Sequence, residues 1–224
     1  MNLDETFLPA GVTCPVQRAG VVRVSAFEPR SFVHGPGQRA VVWVSGCLRR
    51  CPGCMKPEFF SFDAGEDVSV EKLAERILSI EGLNGVSFSG GEPFEQADAL
   101  GELARRLKRH GLTVLSYSGY RVDALRREPR RFGSLLTELD ILIDGEYRRE
   151  LNGPFRWLGS ENQVIHTLSD HQSDLPPLGE ASPRQEIQFT FSEHGMRMSG
   201  FPSQQMQDQL EQALGRRGIV LSRS

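Results

Sequence analysis

Three of the four cysteines fall within eight positions, spaced Cys47-x3-Cys51-x2-Cys54 between Gly46 and Met55. Thiolates are soft ligands, suited to iron–sulfur clusters and to zinc. A closed cubane normally takes four protein ligands. Three cysteines on one compact loop can hold three irons and leave the fourth open to a substrate or cofactor. The competing chemistry is a structural Cys3His zinc site, with His34 as its fourth ligand. Zinc sites usually draw on paired, short-spaced hooks, and this chain has no second hook. Taken alone, the loop favours a cluster and leaves zinc and a closed cluster in play. Cys14 stands apart beside Pro15 and reads as a small, partly buried residue rather than a fourth ligand.

Three further spots place chemistry-bearing residues just after short apolar runs. Gly90-Gly91 permits a tight strand-to-helix turn and close backbone approach to a ligand, although glycine pairs also occur in plain βα turns. Ser118-Gly119 offers a hydroxyl to a ligand, or simply a turn. Asp144 ends an apolar strand, where its carboxylate could serve a ligand or the fold. His166, also at a strand end, reads as a packed or loop histidine rather than a catalytic base.

The elements around these spots explain their placement. Val21 to Phe27 and Ala40 to Ser45 are β-branched apolar runs that predict strands, as do Val86 to Ser89, Leu112 to Ser116, Leu139 to Ile143 and Asn162 to His166. Val70, Leu73, Ala74, Ile77 and Leu78 recur at helical spacing behind an N-cap at Ser69. A second helix is predicted from Phe94 to His110, stopped by Gly111, and a third region around Val122, Leu125 and Leu135 is interrupted by Pro129. Strands alternating with helices imply an α/β fold with a largely parallel sheet, either a barrel or an open portion of one. Function in such folds gathers on loops at the C-terminal ends of the strands. The cysteine loop, Gly90-Gly91, Ser118-Gly119 and Asp144-Gly145 all fall at that edge.

Composition bounds the rest. A chain of 224 residues with 38% hydrophobic and 25% charged residues suits one globular core with a small elaboration. A net charge of −3 gives nucleic-acid binding little support. Met1 to Pro9 carries Asp4 and Glu5, without a basic start or apolar stretch, so it does not read as a signal peptide. No apolar run approaches the ~20 residues needed to span a bilayer, and cytoplasm is the expected compartment. The domain reading is an N-terminal segment (1–19), a core (20–166), a Ser-, Asp- and Pro-rich linker (167–185) and an accessory extension (186–224). The extension is predicted to be a hairpin about Glu193-His194-Gly195, followed by a helix after Ser203.

The cysteine loop followed one βα unit later by Ser89-Gly90-Gly91-Glu92-Pro93 resembles the radical SAM superfamily. Cys51-Pro52-Gly53-Cys54 resembles its activase branch, especially the family that activates anaerobic ribonucleoside-triphosphate reductase. Tyr117-Ser118-Gly119-Tyr120, Asp144-Gly145-Glu146-Tyr147 and Gly159-Ser160-Glu161-Asn162-Gln163 resemble later signatures of that family. Gly200-Phe201-Pro202 is similar to a motif of its extended members. Met55 departs from the pattern, standing where those activases often carry an aromatic.

The resemblance implies a partial (β/α)6-type radical SAM barrel with a small C-terminal hairpin-plus-helix extension. It implies a [4Fe–4S] cluster held by Cys47, Cys51 and Cys54, and S-adenosylmethionine contacted by Gly53, Cys54, Met55, Gly90, Gly91, Glu92, Pro93, Ser118 and Asp144. The implied reaction is reductive cleavage to a 5′-deoxyadenosyl radical, which removes hydrogen from a glycine Cα of a large partner enzyme. Flavodoxin or ferredoxin is the implied electron donor, and neither nucleic acid nor membrane enters. Two other functions stay open at this point: a radical SAM enzyme acting on a small molecule or peptide, and a non-catalytic zinc- or cluster-binding interaction module.

Overall fold

A computed structural model describes residues 18–169, 186–192 and 195–218. Cys14, nearly all of the predicted linker and the Glu193-His194 turn lie outside the described residues. In chain order the elements are β1 (Val21–Ser31), β2 (Arg39–Val44), β3 (Glu66–Ser69), α1 (Val70–Leu78), β4 (Gly85–Gly90), α2 (Ala97–Lys108), β5 (Thr113–Ser118), α3 (Val122–Arg127), α4 (Pro129–Leu136), β6 (Ile141–Asp144), β7 (Val164–Thr167), β8 (Ile187–Ser192), β9 (Gly195–Gly200) and α5 (Gln204–Gly215). Seven strands form one sheet in the order β3-β1-β2-β4-β5-β6-β7, and β8 pairs with β9 alone. β2, β4, β5 and β6 run parallel, whereas β1, β3 and β7 join antiparallel. The sheet is therefore mixed, with a parallel centre and antiparallel flanks. No α-helix separates β1 from β2 or β6 from β7, only a single 3-10 turn at Arg149–Leu151 in the second connection, and without a crossover helix a returning strand pairs antiparallel.

Local signals explain most boundaries. Ser69 caps α1, its Oγ accepting from the Lys72 N–H at 3.2 Å. Pro129 occupies the first turn of α4 and separates it from α3. The helix predicted from Phe94 begins later, at Ala97, because Pro93–Gln96 winds as a 3-10 turn whose first residues are held by Glu92. β3 carries Glu66 and Asp67 and has no apolar run to announce it; it is an edge strand paired only with β1.

Alternation along the strands separates two faces of the sheet. Val42, Val44, Val86, Phe88, Val114 and Leu142 join the large core beneath the helices, with Leu73, Leu100 and Leu135. Leu115, Tyr117, Ile141 and Ile143 face the other way and cluster with Trp157. On β4 that second face carries Ser87, between Val86 and Phe88, and Ser89. This is the face on which the cavity opens.

Arg39 starts β2, at the end of the strand opposite the cysteine loop. Wholly buried, it donates from Nε to Ser87 Oγ (2.8 Å), from Nη1 to the Pro36 carbonyl (3.2 Å) and Thr113 Oγ1 (2.9 Å), and from Nη2 to the carbonyls of Val86 (2.7 Å) and Thr113 (2.9 Å). All five guanidinium N–H groups are thereby used. Burial lowers its pKa to about 10. A Cβ on Gly85 would sit 2.6 Å from Nη2 and 2.3 Å from the Thr113 carbonyl, so glycine makes room for the fork. Arg39→Lys replaces the fork with a point charge bearing three donors, leaving two acceptors unserved. Its unfolding free energy should fall by about 2–4 kcal/mol, measured as a lower denaturant midpoint at unchanged slope.

The C-terminal hairpin is fastened to this frame. The Gln188 amide donates to the Arg30 carbonyl (2.7 Å) and accepts from Phe32 N–H (3.0 Å), imitating one more strand pairing beside β1. Ser203 caps α5 through Met206 N–H, and Gln204 N–H donates to Asn152 Oδ1 at 3.1 Å. Phe201 packs on Tyr117 with ring centroids 5.4 Å apart. No helix among the described residues is long and apolar enough to cross a membrane.

Candidate functional site

The cysteine loop leaves the end of β2 and returns through a 3-10 turn at Pro57–Phe59. Gly46 and Cys47 donate backbone N–H groups to the carbonyls of Phe59 (2.9 Å) and Phe60 (3.1 Å), closing its base. Arg49 pins its flank, with Nη2 3.3 Å from Glu146 Oε2 and its guanidinium 5.2 Å from the Tyr120 ring centroid. Arg50 adopts φ 42°, the left-handed region that non-glycine residues seldom occupy. Such strain persists only where the surroundings enforce it.

Cys47, Cys51 and Cys54 are free thiols lining one cavity of about 480 Å³, a volume suited to a small-molecule ligand. Burial pushes the Cys47 thiol up to about 12, with the Glu92 carboxylate adding to the effect. Burial raises Cys51 and Cys54 as well. At neutral pH these thiols keep their protons unless a metal supplies the charge that expels them, so loading releases protons. Among the described residues, no three His, Cys, Asp or Glu side chains are gathered around a single ion position. His34 belongs to a different set of contacts. Its Nδ1 lies 2.9 Å from Ser31 Oγ, and its ring packs edge-on against Trp43 at 5.3 Å. Three soft thiol donors lining one cavity are a set that can hold an iron–sulfur cluster.

Gly90 and Gly91 seat the loop. Val44 and Gly90 are register partners at the ends of β2 and β4. Gly91 N–H donates to the Val44 carbonyl (2.7 Å), and Glu92 N–H to the Gly46 carbonyl (2.8 Å). A Cβ on Gly90 (φ 102°) would lie 2.5 Å from Val44 N, and one on Gly91 only 2.3 Å from the Gly46 carbonyl oxygen. The glycine pair thus lets two strand ends touch, directly under Cys47. Both glycines line the cavity as well.

Of the other residues predicted to meet a cofactor, Cys54, Met55, Glu92 and Ser118 line the cavity, whereas Gly53, Pro93 and Asp144 do not. Glu92 is buried, and its carboxylate is already engaged: Oε1 accepts from Phe94 N–H (3.1 Å) and Ser118 Oγ–H (3.0 Å), and Oε2 from Gly119 N–H (2.7 Å). Burial nonetheless raises its pKa to about 7. Its visible work is to bind the end of β5 to the glycine turn. Asp144 is wholly buried and accepts from Val122 N–H at 2.6 Å, holding the head of α3. Arg121 Nη1 stands 3.3 Å from its Oδ1 and His166 Nε2 3.2 Å from its Oδ2. His166 thus sits at the end of the sheet with its ring beside Asp144.

The cavity also recruits residues that spacing alone does not mark, among them Arg49, Trp43, Tyr117, Tyr147, Gln163 and Phe201. Gln163 braces one wall, its Oε1 accepting from Gly159 N–H (2.8 Å) and its Nε2 donating to the Gly145 carbonyl (2.9 Å). The runs Gly145-Glu146-Tyr147 and Gly159–Gln163 carried a signal, since both belong to motifs noted above. Tyr117 and Phe201 likewise stand in noted motifs, whereas Trp43, inside a predicted strand, carried no signal of its own.

His34, also in the wall, titrates far from its normal range. Burial lowers its pKa from 6.5 to about 4. The unfolded chain binds this proton first, so the neutral ring contributes stability in full above pH 6.5 and loses it as pH falls toward 4. That lowering corresponds to about 3 kcal/mol. His34→Gln should flatten the pH dependence of the unfolding free energy across that window, read from denaturant melts at pH 7, 5.5 and 4.

Comparison with known proteins follows the same outline. The model of the 4Fe–4S single cluster domain matches residues 33–166, which include the whole cysteine loop, the glycine turn and the strands that carry them. The chain is 30% identical over 156 residues to the anaerobic ribonucleoside-triphosphate reductase-activating protein of Salmonella typhi, covering 66% of this chain and 99% of that one. It is 32% identical over 152 residues to the protein of the same name from Vibrio cholerae, covering 64% and 96%. The Escherichia coli K12 protein of that name is 30% identical over 154 residues, covering 63% and 96%. The chain belongs to the family of anaerobic ribonucleoside-triphosphate reductase-activating proteins, built on a 4Fe–4S single cluster domain.

Proposed function

We propose that this protein holds a [4Fe–4S] cluster on Cys47, Cys51 and Cys54, cleaves S-adenosylmethionine reductively, and installs a glycyl radical on an anaerobic ribonucleotide reductase. The observation that carries the reading is the seating of a three-cysteine loop on Gly90-Gly91 at the mouth of one cavity. The open parallel portion β2-β4-β5-β6, with helices on one face, is read as part of a radical SAM barrel. Residues 20–166 form its working core, and 186–224 an accessory layer joined by a linker. Held by Cys47, Cys51 and Cys54, a reduced cluster would supply one electron to the sulfonium of S-adenosylmethionine, breaking its bond to the 5′ carbon and releasing methionine, and the 5′-deoxyadenosyl fragment would take a hydrogen atom from the partner's glycine Cα.

The chain's own residues have separable tasks in this scheme. The cysteines bind; Gly90 and Gly91 bring the loop root against β4; Glu92 fixes Ser118-Gly119 beside it. Backbone groups of Gly53, Cys54 and Met55 are assigned to the adenine, and those of Gly90 to Pro93 to the amino-acid end of S-adenosylmethionine. Ser118 and Asp144 act on that ligand only through the loops they hold. The aromatic and apolar lining excludes water, which protects a reactive intermediate. A cytoplasmic setting supplies the reduced flavodoxin or ferredoxin.

The test is anaerobic reconstitution followed by incubation with reductant, S-adenosylmethionine and the large reductase subunit. About four irons per chain, reductant-dependent 5′-deoxyadenosine and a glycyl-radical signal on the subunit are expected. Efficient modification of a small molecule with no radical on the reductase would redirect the assignment. Loaded protein that releases no 5′-deoxyadenosine would make it a binding module.

A further inference from the structure

The family model ends at residue 166, yet one wall of the cavity comes from the chain beyond it: Met198, Ser199, Gly200 and Phe201, at the end of β9. We propose that this wall, with Tyr117 and Trp43, forms a subsite for an uncharged, side-chain-poor stretch of main chain, the glycine-bearing segment of the partner enzyme. The proposal rests on the activase reading and adds a recognition role for the C-terminal extension.

Two unpartnered groups point to a ligand. Tyr117 and Ser199 are 8% and 9% exposed, both line the cavity, and the Tyr117 Oη and Ser199 Oγ atoms are buried without a hydrogen-bond partner. Native proteins seldom leave buried hydroxyls unserved. The two come from β5 and β9, elements distant in sequence that meet at this cavity.

The surroundings select what serves them. Trp43, His34, Phe201 and Tyr117 form a continuous aromatic series, with successive ring centroids 5.3, 5.5 and 5.4 Å apart. The charged residues of the lining, Arg49, Lys56, Glu58 and Glu92, belong to the cysteine loop and the glycine turn instead. A peptide group carries one N–H and one C=O and no charge, which matches two hydroxyls in an aromatic slot. Bulky side chains would compete with the rings for the same space, so glycine suits it. The wall is also fixed in place. Gln188 ties the hairpin to β1, and Gly200 (φ 115°) runs so close to Glu186 that a Cβ would lie 2.7 Å from its carbonyl oxygen.

The test compares Tyr117→Phe and Ser199→Ala with the parent protein, using the large reductase subunit as the ligand. Each variant should weaken the complex about five- to tenfold, the worth of one buried hydrogen bond, by calorimetry and as a higher KM for subunit in glycyl-radical formation. The loss should fall on KM more than on kcat. Removing a hydroxyl that has no partner should leave the thermal midpoint unchanged or raise it. Unchanged affinity in both variants would overturn the proposal, as would a fall of several degrees in the midpoint, which would mark the hydroxyls as structural. Absence of a glycyl radical with the parent protein would end the activase reading and this proposal together. A normal parent signal with unaffected variants would end this proposal alone.

Discussion

Cys51→Ala protein, reconstituted anaerobically with iron and sulfide, should retain well under half of the roughly four irons expected per parent chain, and its 5′-deoxyadenosine release should drop to background. Cys51 is the middle ligand of the loop, and the three cysteines are the only ones among the described residues. Two remaining thiols can hold two corners of a cubane and cannot fix the open iron toward a ligand. The same change should do little to the fold. Cys51 is half-buried, and the loop is closed by backbone bonds at Gly46, Cys47 and Cys54 and flanked by Arg49. Truncating a half-buried thiol removes little packed volume, so the metal-free variant should melt within a degree or two of the metal-free parent. Iron content and thermal midpoint therefore separate ligation from folding. Full iron occupancy in the variant would remove Cys51 from the ligand set.

The strands and helices were legible where burial imposes a period. Val86 and Phe88 alternate with Ser87 and Ser89 because one face meets helices and the other meets the cavity. Pro129 broke a helix where its missing N–H is tolerated, at the first turn of α4. Strand direction was not legible in the same way. Hydrophobic runs reveal that β1 and β7 exist but not which way they pair; that follows from the lack of a crossover α-helix between β1 and β2 and between β6 and β7. β3 was missed because an edge strand with one paired side needs no apolar alternation, and its Glu66 and Asp67 look like loop residues.

Of the site, cysteine spacing and the glycine pair were legible because both are demands on backbone and ligand chemistry rather than on packing. Glu92, Ser118 and Asp144 were placed correctly at the strand ends, but their side chains are engaged in hydrogen bonds within the protein. A carboxylate after a strand looks the same in sequence whether it serves a ligand or caps a helix. The aromatic wall was illegible for a related reason. Phe201 reaches Tyr117 from beyond the core, across 84 positions of sequence, and no local pattern encodes such a contact.

Gly91→Ala should be among the most damaging single methyls in the protein. Its cost would come from contact alone, since Gly91 is not among the positive-φ glycines. The added carbon would lie 2.3 Å from the Gly46 carbonyl oxygen, 2.8 Å from its carbon and 3.0 Å from its nitrogen. All three are backbone atoms, so no rotamer change relieves the clash. Either the ends of β2 and β4 separate, breaking the bonds from Gly91 to Val44 and from Glu92 to Gly46, or the root of the cysteine loop moves. The first route should cost more than about 4 kcal/mol, in the range reserved for broken cores and networks. The second should spare stability and lose iron, because Cys47 is attached to the displaced residue. Gly111→Ala supplies the control. Gly111 has φ 81° with no atom within 4 Å of a built Cβ, so its alanine should cost only the ~1–2 kcal/mol of a left-handed backbone and keep the iron. If Gly91→Ala matched that control in both melting and iron content, the glycine turn would not be the seat of the cysteine loop, and the geometry beneath Cys47 would need another explanation.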